Sequence, residues 1–524
     1  MIFRSPFPAV ELPHVPLTPY VLRLAARLAE KTALIDGPTG RTLSYGQLAE
    51  SVGQVATGLA ARGFGRGDVL AIVAPNSIEY VVAFHAVTSL GGVVTTINPL
   101  SMVDDLAYQL NDAGATLLLT TPDLLEKASE AAARARIRQV FVLGEVPGAT
   151  PFASLLEHGD APPHVVIEPG EDVAALLYSS GTTGWPKGVM LTHANLVANI
   201  VQSGVPDPLT EADTVIATLP FFHAAGMLFV VNRALAGGAT VVILPRFELE
   251  PFLRVVQDYR VTRAIVVPPI VLALAKQPVV DRYDLSSLNV IMSLAAPLSD
   301  HAARACAERV GCVVKQGYGM TETGPALQIT PDAVDTGKAG AVGPCVPNTE
   351  CQVVDPVTRE SLGPGERGEI WARGPQVMRG YLNRPDATAD TITAEGWMRT
   401  GDIGHADEDG WFYIVDRLKE LIKYKAYQVA PAELEAVLLA HPAVADAAVI
   451  PSPDDEAGEV PKAFVVLKEE ASAEELMAFV AARVAPYKKV RRVEFIEQIP
   501  KSPAGKILRR ILVERERAAQ SSPV

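Results

Sequence analysis

Between an apolar run and the apolar triplet Val189, Met190 and Leu191, the chain reads YSSGTTGWPKG, from Tyr178 to Gly188. Ser179, Ser180, Gly181, Thr182, Thr183 and Gly184 are all small. A backbone of such residues can curl with its N–H groups turned inward, the arrangement that receives phosphate oxygens. Lys187 adds a point positive charge to the same stretch. The run is not a Walker A loop, because Gly188 follows the lysine where that loop needs a Ser or Thr for magnesium. Alone, a Ser/Thr/Gly run is more often an ordinary surface turn, so the chemistry must come from its company.

Four further segments follow: QGYGMTE (Gln316 to Glu322), TGDIG (Thr400 to Gly404), DRLKELIKYK (Asp416 to Lys425) and PKSPAGKILRR (Pro500 to Arg510). In this order and spacing the set resembles the adenylate-forming superfamily, which includes acyl-CoA synthetases, luciferases and peptide-synthetase adenylation domains. The likeness spans nearly the whole chain. It implies an enzyme that uses ATP, Mg²⁺ and coenzyme A, activating a small-molecule carboxylic acid as its acyl-adenylate and then forming the thioester.

Position by position, the resemblance implies adenine near Gln316, Gly317 and Tyr318, where an aromatic face and exposed backbone groups suit a purine. Thr321 would touch the phosphates. Glu322 would carry Mg²⁺, since a hard cation wants oxygen ligands. Asp402 would accept both ribose hydroxyls with Arg417 at the same sugar, and Lys419 would mark a hinge. Lys506 would neutralise the charge that develops between the acid and the α-phosphate. Any one of these charges, taken singly, is equally a solvated surface group.

His223, in LPFFHAAGM, would border the acyl pocket and position the carboxylate; a packed, hydrogen-bonded histidine is the competing reading. Within the superfamily the wording is similar to the 4-coumarate–CoA ligase group in FRSPFPAVELP, VVTTINP, LPFFH, QGYGMTETGP and YQVAPAELE. That likeness places an aromatic acid among His223, Ala225, Leu294, Gly317, Pro325 and Ala326, and gives Lys423 and Gln428 a part in the adenylation geometry. Two residues depart from the group. Leu294 stands where it usually has Gly or Ala, which narrows the expected pocket. Ala426 stands where it usually has Gly, beside the expected path of the CoA thiol arm. The basic run Lys488 to Arg492 is read either as a contact for CoA phosphates or as a solvated face.

These residues need rigid elements to hold them. The apolar runs Val69 to Pro75, Ala115 to Thr121, Val140 to Gly144, Val173 to Ser180, Ala239 to Pro245 and Arg263 to Pro269 each read as a buried strand. Amphipathic stretches such as Tyr45 to Arg62 and Phe252 to Tyr259 lie between them, which predicts an α/β fold with layered, largely parallel sheets. From about Gly363, short alternating strands with Gly and Asp turns predict a small β-rich module. After Asp416 a smaller α+β unit is expected: a helix from Pro431 to Ala440, strands at Val444 to Ile450 and Lys462 to Leu467, and a helix from Ala473 to Val484. The last ~20 residues are polar and expected to fray. The expected organisation is an N-terminal ATP- and acyl-binding domain, residues 1–416, and a mobile C-terminal lid, residues 417–524, carrying Lys506.

Composition sets the outer limits. The 524 residues are 48% hydrophobic and 20% charged, the balance of a folded globular protein. Sixty acidic against 46 basic residues give a formal charge of −14, which argues against nucleic acid or an anionic membrane as the main partner. Cys306, Cys312, Cys345 and Cys351 have neither zinc-ligand nor disulfide-scaffold spacing and read as reduced thiols. The first residues lack the apolar core of a signal peptide, and Val81 to Ile97, the most membrane-like window, is interrupted by His85 and several hydroxyl residues. A cytoplasmic location is expected, with no peroxisomal address at Ser522-Pro523-Val524. Three other functions share these motifs. A carrier-loading enzyme would leave CoA untouched, a luciferase-like oxygenase would consume oxygen or emit light, and a nucleotide-binding regulator would show no acid-dependent pyrophosphate release.

Overall fold

The computed structural model describes residues 1–157, 162–179, 186–332, 338–425, 427–454, 457–502 and 505–521, with Tyr427, Gln428 and residues 518–521 described by backbone alone. Every strand expected from an apolar run is present, ending one to three residues earlier than its run: Val69–Val73, Ala115–Thr120, Gln139–Val142, Val173–Ser179, Thr240–Ile243 and Arg263–Val266. They fall into two eight-stranded sheets among the described residues. One sheet runs, in spatial order, Gly380–Tyr381, Lys187–Thr192, Val173–Ser179, Val93–Thr96, Val69–Val73, Ala115–Thr120, Gln139–Val142 and Thr150–Pro151, and is parallel from Val173–Ser179 onward. The other runs Ala326–Ile329, Val313–Gly319, Val290–Ser293, Arg263–Val266, Thr214–Ala217, Thr240–Ile243, Thr32–Asp36 and Thr42–Ser44, with antiparallel pairs only at its two edges.

Local sequence chemistry starts the connecting helices. Tyr45–Ala60 opens with a reciprocal cap, Gln47 N donating to Ser44 Oγ at 3.2 Å and Ser44 N donating back to Gln47 Oε1 at 2.9 Å. Thr192 and Asn195 do the same for His193–Ser203. Helix Ile78–Ser89 and strand Val93–Thr96 occupy the window that looked most membrane-like, and no helix of the described residues is long and apolar enough to cross a membrane.

The β-rich module is an antiparallel sheet of Phe3–Arg4, Glu350–Val354, Gly368–Arg373, Met398–Ala406 and Phe412–Arg417. It begins earlier than Gly363, because Cys351, Val353 and Val354 are buried in a strand that also recruits Phe3 at the start of the chain. The C-terminal sheet joins Tyr427–Val429, Ile422–Tyr424, Gly458–Leu467 and Val444–Asp454, with Arg492–Phe495 added in parallel to Gly458–Leu467. One of its apolar clusters, from Ile422 to Val493, draws on no residue before the hinge region.

Much of the stretch expected to fray is helical. Helix Arg509–Ser521 packs Leu512 against Ala448, Ile450, Phe464 and Ile499, and Ser452 Oγ donates to Glu516 Oε1 at 2.6 Å. Its polar composition hid one apolar and one charged anchor four residues apart, which is one helical face. The basic run is also tied inward. Lys488 pairs with Glu433 at 2.6 Å, Arg491 lies 5.3 Å from the Tyr424 ring, and Arg492 donates to Ser452 Oγ at 2.5 Å, leaving Lys489 without an ion pair among the described residues.

Candidate active site

The carboxyl ends of parallel strands are where an α/β sheet offers its loops to ligands. Here four adjacent strands do so side by side. Thr214–Ala217 leads into Leu219 to His223, Arg263–Val266 into Val267 and Pro269, Val290–Ser293 into Leu294, and Val313–Gly319 contains Gln316 to Gly319. Leu294 N donates to Val266 O at 2.9 Å, and a Cβ placed on Gly317 would lie 3.1 Å from Leu294 Cδ2. The two expected pocket residues are therefore in contact. Gln316 Oε1 accepts from Leu298 N at 3.0 Å, so the Gln316 side chain holds the loop after Leu294.

The expected acyl residues from the LPFFH segment sit on the same side. Asn76 clamps this loop by accepting from Phe221 N at 2.7 Å and donating to Leu219 O and Leu244 O at 3.0 Å each. Thr96 Oγ1 donates to Phe222 O at 2.8 Å. His223 turns the chain with its N–H on Pro220 O at 3.1 Å, and Ala225 begins the π-helix Ala225–Val231. The imidazole Nε2 is buried and has no hydrogen-bond partner among the described residues. Burial and the neighbouring Lys506 ammonium lower its pKa to about 4, so the ring is neutral near pH 7. A packed histidine with its hydrogen bonds satisfied does not describe this side chain.

Thr321, Glu322, Pro325 and Ala326 lie on one turn and the strand that follows. Asn199 ties it down from helix His193–Ser203, donating to Thr323 O at 3.3 Å and Ala326 O at 2.9 Å and accepting from Ala326 N at 3.2 Å. Pro325 O accepts from Met320 N at 2.9 Å and Thr323 Oγ1 at 2.7 Å. Glu322 is only 5% exposed, and its Oε1 accepts from the Tyr381 hydroxyl at 2.9 Å. Lys187 Nζ lies 4.8 Å from the centroid of the same Tyr381 ring. Ser179 ends its strand opposite Lys187, whereas Ser180, Gly181, Thr182, Thr183 and Gly184 lie outside the described residues.

Asp402 is buried in the antiparallel sheet opposite Arg417. Its Oδ1 takes Arg417 Nε at 3.1 Å and its Oδ2 takes the Tyr318 hydroxyl. Both oxygens thus have partners, and each keeps a second lone pair for a further donor. Gly401 stands at φ +70° next to it, a conformation that favours glycine. Lys506 reaches the same place from the C-terminal unit. Its turn is closed by Ser502 N on Lys506 O at 2.8 Å and by Gly505 at φ +75°. A Cβ on Gly505 would stand 3.4 Å from both Val267 and Pro269, so this turn rests on the strand ends of the large unit. Burial and Arg417 lower the Lys506 pKa, and Asp402 and Glu420 oppose them.

Lys423 makes no described contact with this cluster. The Lys423 side chain is exposed with no ion pair among the described residues, and its N–H bonds Glu459 Oε2 at 2.7 Å. Gln428 pairs with it through the backbone, and its side chain lies outside the described residues, as does Ala426. Lys419 is exposed, between the bonds Leu418 N to Gly401 O, 2.8 Å, and Glu420 N to Arg417 O, 3.0 Å. Sequence reading passed over Asn76, Asn199 and Tyr381. Nothing in their spacing marks them, because each acts through a contact made far along the chain.

Comparison with known proteins agrees with this geometry. Residues 22–382 match the AMP-binding enzyme family and residues 433–506 match the AMP-binding enzyme C-terminal domain. 4-Coumarate–CoA ligase 1 of Petroselinum crispum is 44% identical over 98% of this chain and 97% of its own length. The 4-coumarate–CoA ligase of Pinus taeda is 43% identical over 98% and 97%. Among solved structures, the anthranilate CoA ligase AuaEII in complex with anthranoyl-AMP superimposes with a TM-score of 0.90 at 26% identity, covering 98% of this chain and 99% of that one. ATP-bound MatB from Rhodopseudomonas palustris gives 0.86 at 29% identity over 95% and 98%. With both family models matched in order and full-length relatives well above the level of chance, the chain belongs to the AMP-binding enzyme family, among its acid–CoA ligases.

Proposed function

We propose that the chain joins a slim aromatic acid of the cinnamate or 4-coumarate type to coenzyme A in two half-reactions at one site. In the first, a carboxylate oxygen attacks the α-phosphorus of ATP and pyrophosphate leaves. In the second, the CoA sulfur attacks the acyl carbon, AMP leaves, and the thiol proton is released. The acid class is taken from the 4-coumarate–CoA ligase relatives together with the Leu294–Gly317 contact, which leaves little width for ring substituents.

The observation that carries the reading is the meeting of Lys506, His223, Asp402 and Arg417 in one electrostatic neighbourhood. Lys506 supplies positive charge where negative charge builds as the acid oxygen attacks. His223, neutral and with a buried nitrogen needing a partner, orients the carboxylate by a hydrogen bond. Asp402 retains acceptor capacity for ribose hydroxyls beside Arg417, and Gln316, Gly317 and Tyr318 face the purine. Lys187 and Thr321 hold phosphate oxygens, with Ser179 and the small residues that follow it. A buried carboxylate with one oxygen held by Tyr381 and the other free of hydrogen bonds among the described residues suits a hard divalent cation. Mg²⁺ on Glu322 would screen phosphate charge.

One site cannot hold Lys506 and admit a thiol along the same path at once. The C-terminal unit, residues 417–524, is therefore assigned as a lid turning about Lys419 against residues 1–416. The test is Lys506→Ala. Pyrophosphate release from ATP and acid should fall by roughly 10²–10³, the usual cost of one lost transition-state donor. Thioester formation from preformed acyl-adenylate should stay within a factor of two or so. Equal losses in both steps would refute the assignment.

A further inference from the structure

Strand Gly380–Tyr381 closes one edge of the first sheet by pairing with Lys187–Thr192, Tyr381 lying opposite Val189. This pairing turns the Tyr381 side chain, 8% exposed, between two groups that the sequence keeps far apart. Lys187 Nζ sits 4.8 Å from the ring centroid, and the hydroxyl donates to Glu322 Oε1 at 2.9 Å. The tyrosine is itself fixed, since Tyr381 N donates to Thr388 Oγ1 at 2.9 Å. Glu322 is fixed from its backbone, its carbonyl accepting from Met378 N at 2.9 Å.

We propose that Tyr381 is a positioning residue that fixes Lys187 and Glu322 relative to each other, holding one carboxylate oxygen so that the other is presented to a divalent cation and keeping the ammonium beside it. The inference rests on the reading of Glu322 as the cation's carboxylate. The physical basis is a division of labour within one side chain. The hydroxyl makes a charge-assisted hydrogen bond, about twice as strong as a neutral one. The ring face attracts the ammonium without neutralising it. An ion pair between Lys187 and Glu322 would cancel both charges; an intervening tyrosine keeps both available to ligand.

Tyr381→Phe separates the two functions, because the ring stays over Lys187 and only the hydroxyl is lost. In the full-length chain with saturating ATP, the Mn²⁺ concentration for half-saturation, read by electron paramagnetic resonance, should rise about tenfold. ATP binding without any divalent cation should not change. Tyr381→Leu removes the ring too and should weaken cation-free ATP binding roughly threefold as well. Glu322→Gln tests the underlying reading and should weaken Mn²⁺ binding by itself. Adding Tyr381→Phe to Glu322→Gln should then cost little more, since the hydroxyl acts through the carboxylate. If Glu322→Gln leaves Mn²⁺ binding intact, the reading of Glu322 fails and the inference falls with it. If Glu322→Gln weakens Mn²⁺ binding while Tyr381→Phe does not, or if the two losses simply add, the role of the tyrosine alone is overturned.

Discussion

Leu294 shows what a single residue can decide. Just past the end of strand Val290–Ser293, its N–H is held by Val266 O, and its side chain lies against the Cα face of Gly317. Acids with methoxylated rings should therefore be excluded, and Leu294→Gly should admit them, relieving overpacking that typically costs ~1–3 kcal/mol. kcat/KM measured across a series from cinnamate to sinapate decides this; an unchanged preference would remove Leu294 from the pocket wall. Lys506, Asp402 and Glu322 are marked as candidates by the sequence because their neighbours form a recognisable string. Tyr381, Asn76 and Asn199 are not, because an amide or phenol among ordinary residues gains its role only when remote strands pair. The resemblance assigns Asp402 to both ribose hydroxyls with Arg417 at the same sugar; its direct engagement by Tyr318 and Arg417 appears only in three dimensions.

At the scale of elements, buried parallel strands announce themselves as continuous apolar runs, and all six that were marked are strands. Charged clusters are harder to foresee. Asp207 pairs with Arg233, Arg263 and Lys315 at 2.7–3.0 Å inside the large unit, although these four residues are spread over more than a hundred positions. The start of the lid's first helix is another case. Helix Pro431–Leu439 has no capping side chain at Ala430; instead Ala432 N donates to Asp416 Oδ2 at 2.9 Å, across the proposed hinge. The lid orientation that brings in Lys506 is thus fastened by a residue of the large unit. Asp416→Asn can turn its remaining oxygen to only one of the two backbone donors it now serves, Ala432 and Arg417. The loss of a cap of ~1 kcal/mol should slow acyl-adenylate formation about fivefold, with the thioester step from preformed adenylate unchanged or faster. Single-turnover measurement of each half-reaction checks it, and a slowed thioester step would show that Asp416 does not favour one orientation.

Across the whole molecule, three histidines and one buried glutamate set opposite pH dependences. His85 accepts or donates within a buried cluster with Thr18, His193 takes Leu17 N at 3.1 Å, and His223 lines the site. Burial lowers their pKa values to about 3, about 4 and about 4, against 6.5 for the open chain. Between pH 5 and 6.5 the unfolded chain therefore binds up to three protons that the folded chain refuses, and this contribution to stability is lost as pH falls. Glu435 works the other way. Buried beside Arg509, it is raised from 4.5 to about 7, so its contribution is complete below pH 4.5 and disappears as pH rises through 7. Half-buried His405, shifted down, and Asp416, shifted up, add in opposite senses. The balance is about two protons near pH 5, or roughly 3 kcal/mol per pH unit, and shrinks to about one near pH 6.5, where the unfolded histidines are half deprotonated, with stability rising throughout. Glu435→Gln imitates the protonated acid and removes the opposing contribution, so the slope should then approach about three protons near pH 5 and be steeper than the parent's throughout the interval. Denaturant unfolding at constant ionic strength across the interval measures both slopes. A parent protein whose stability is flat there, or a Glu435→Gln variant with the parent's slope, would mean that these groups are hydrated in the folded protein and that the interior around His85, His193 and His223 is less dry than their burial implies.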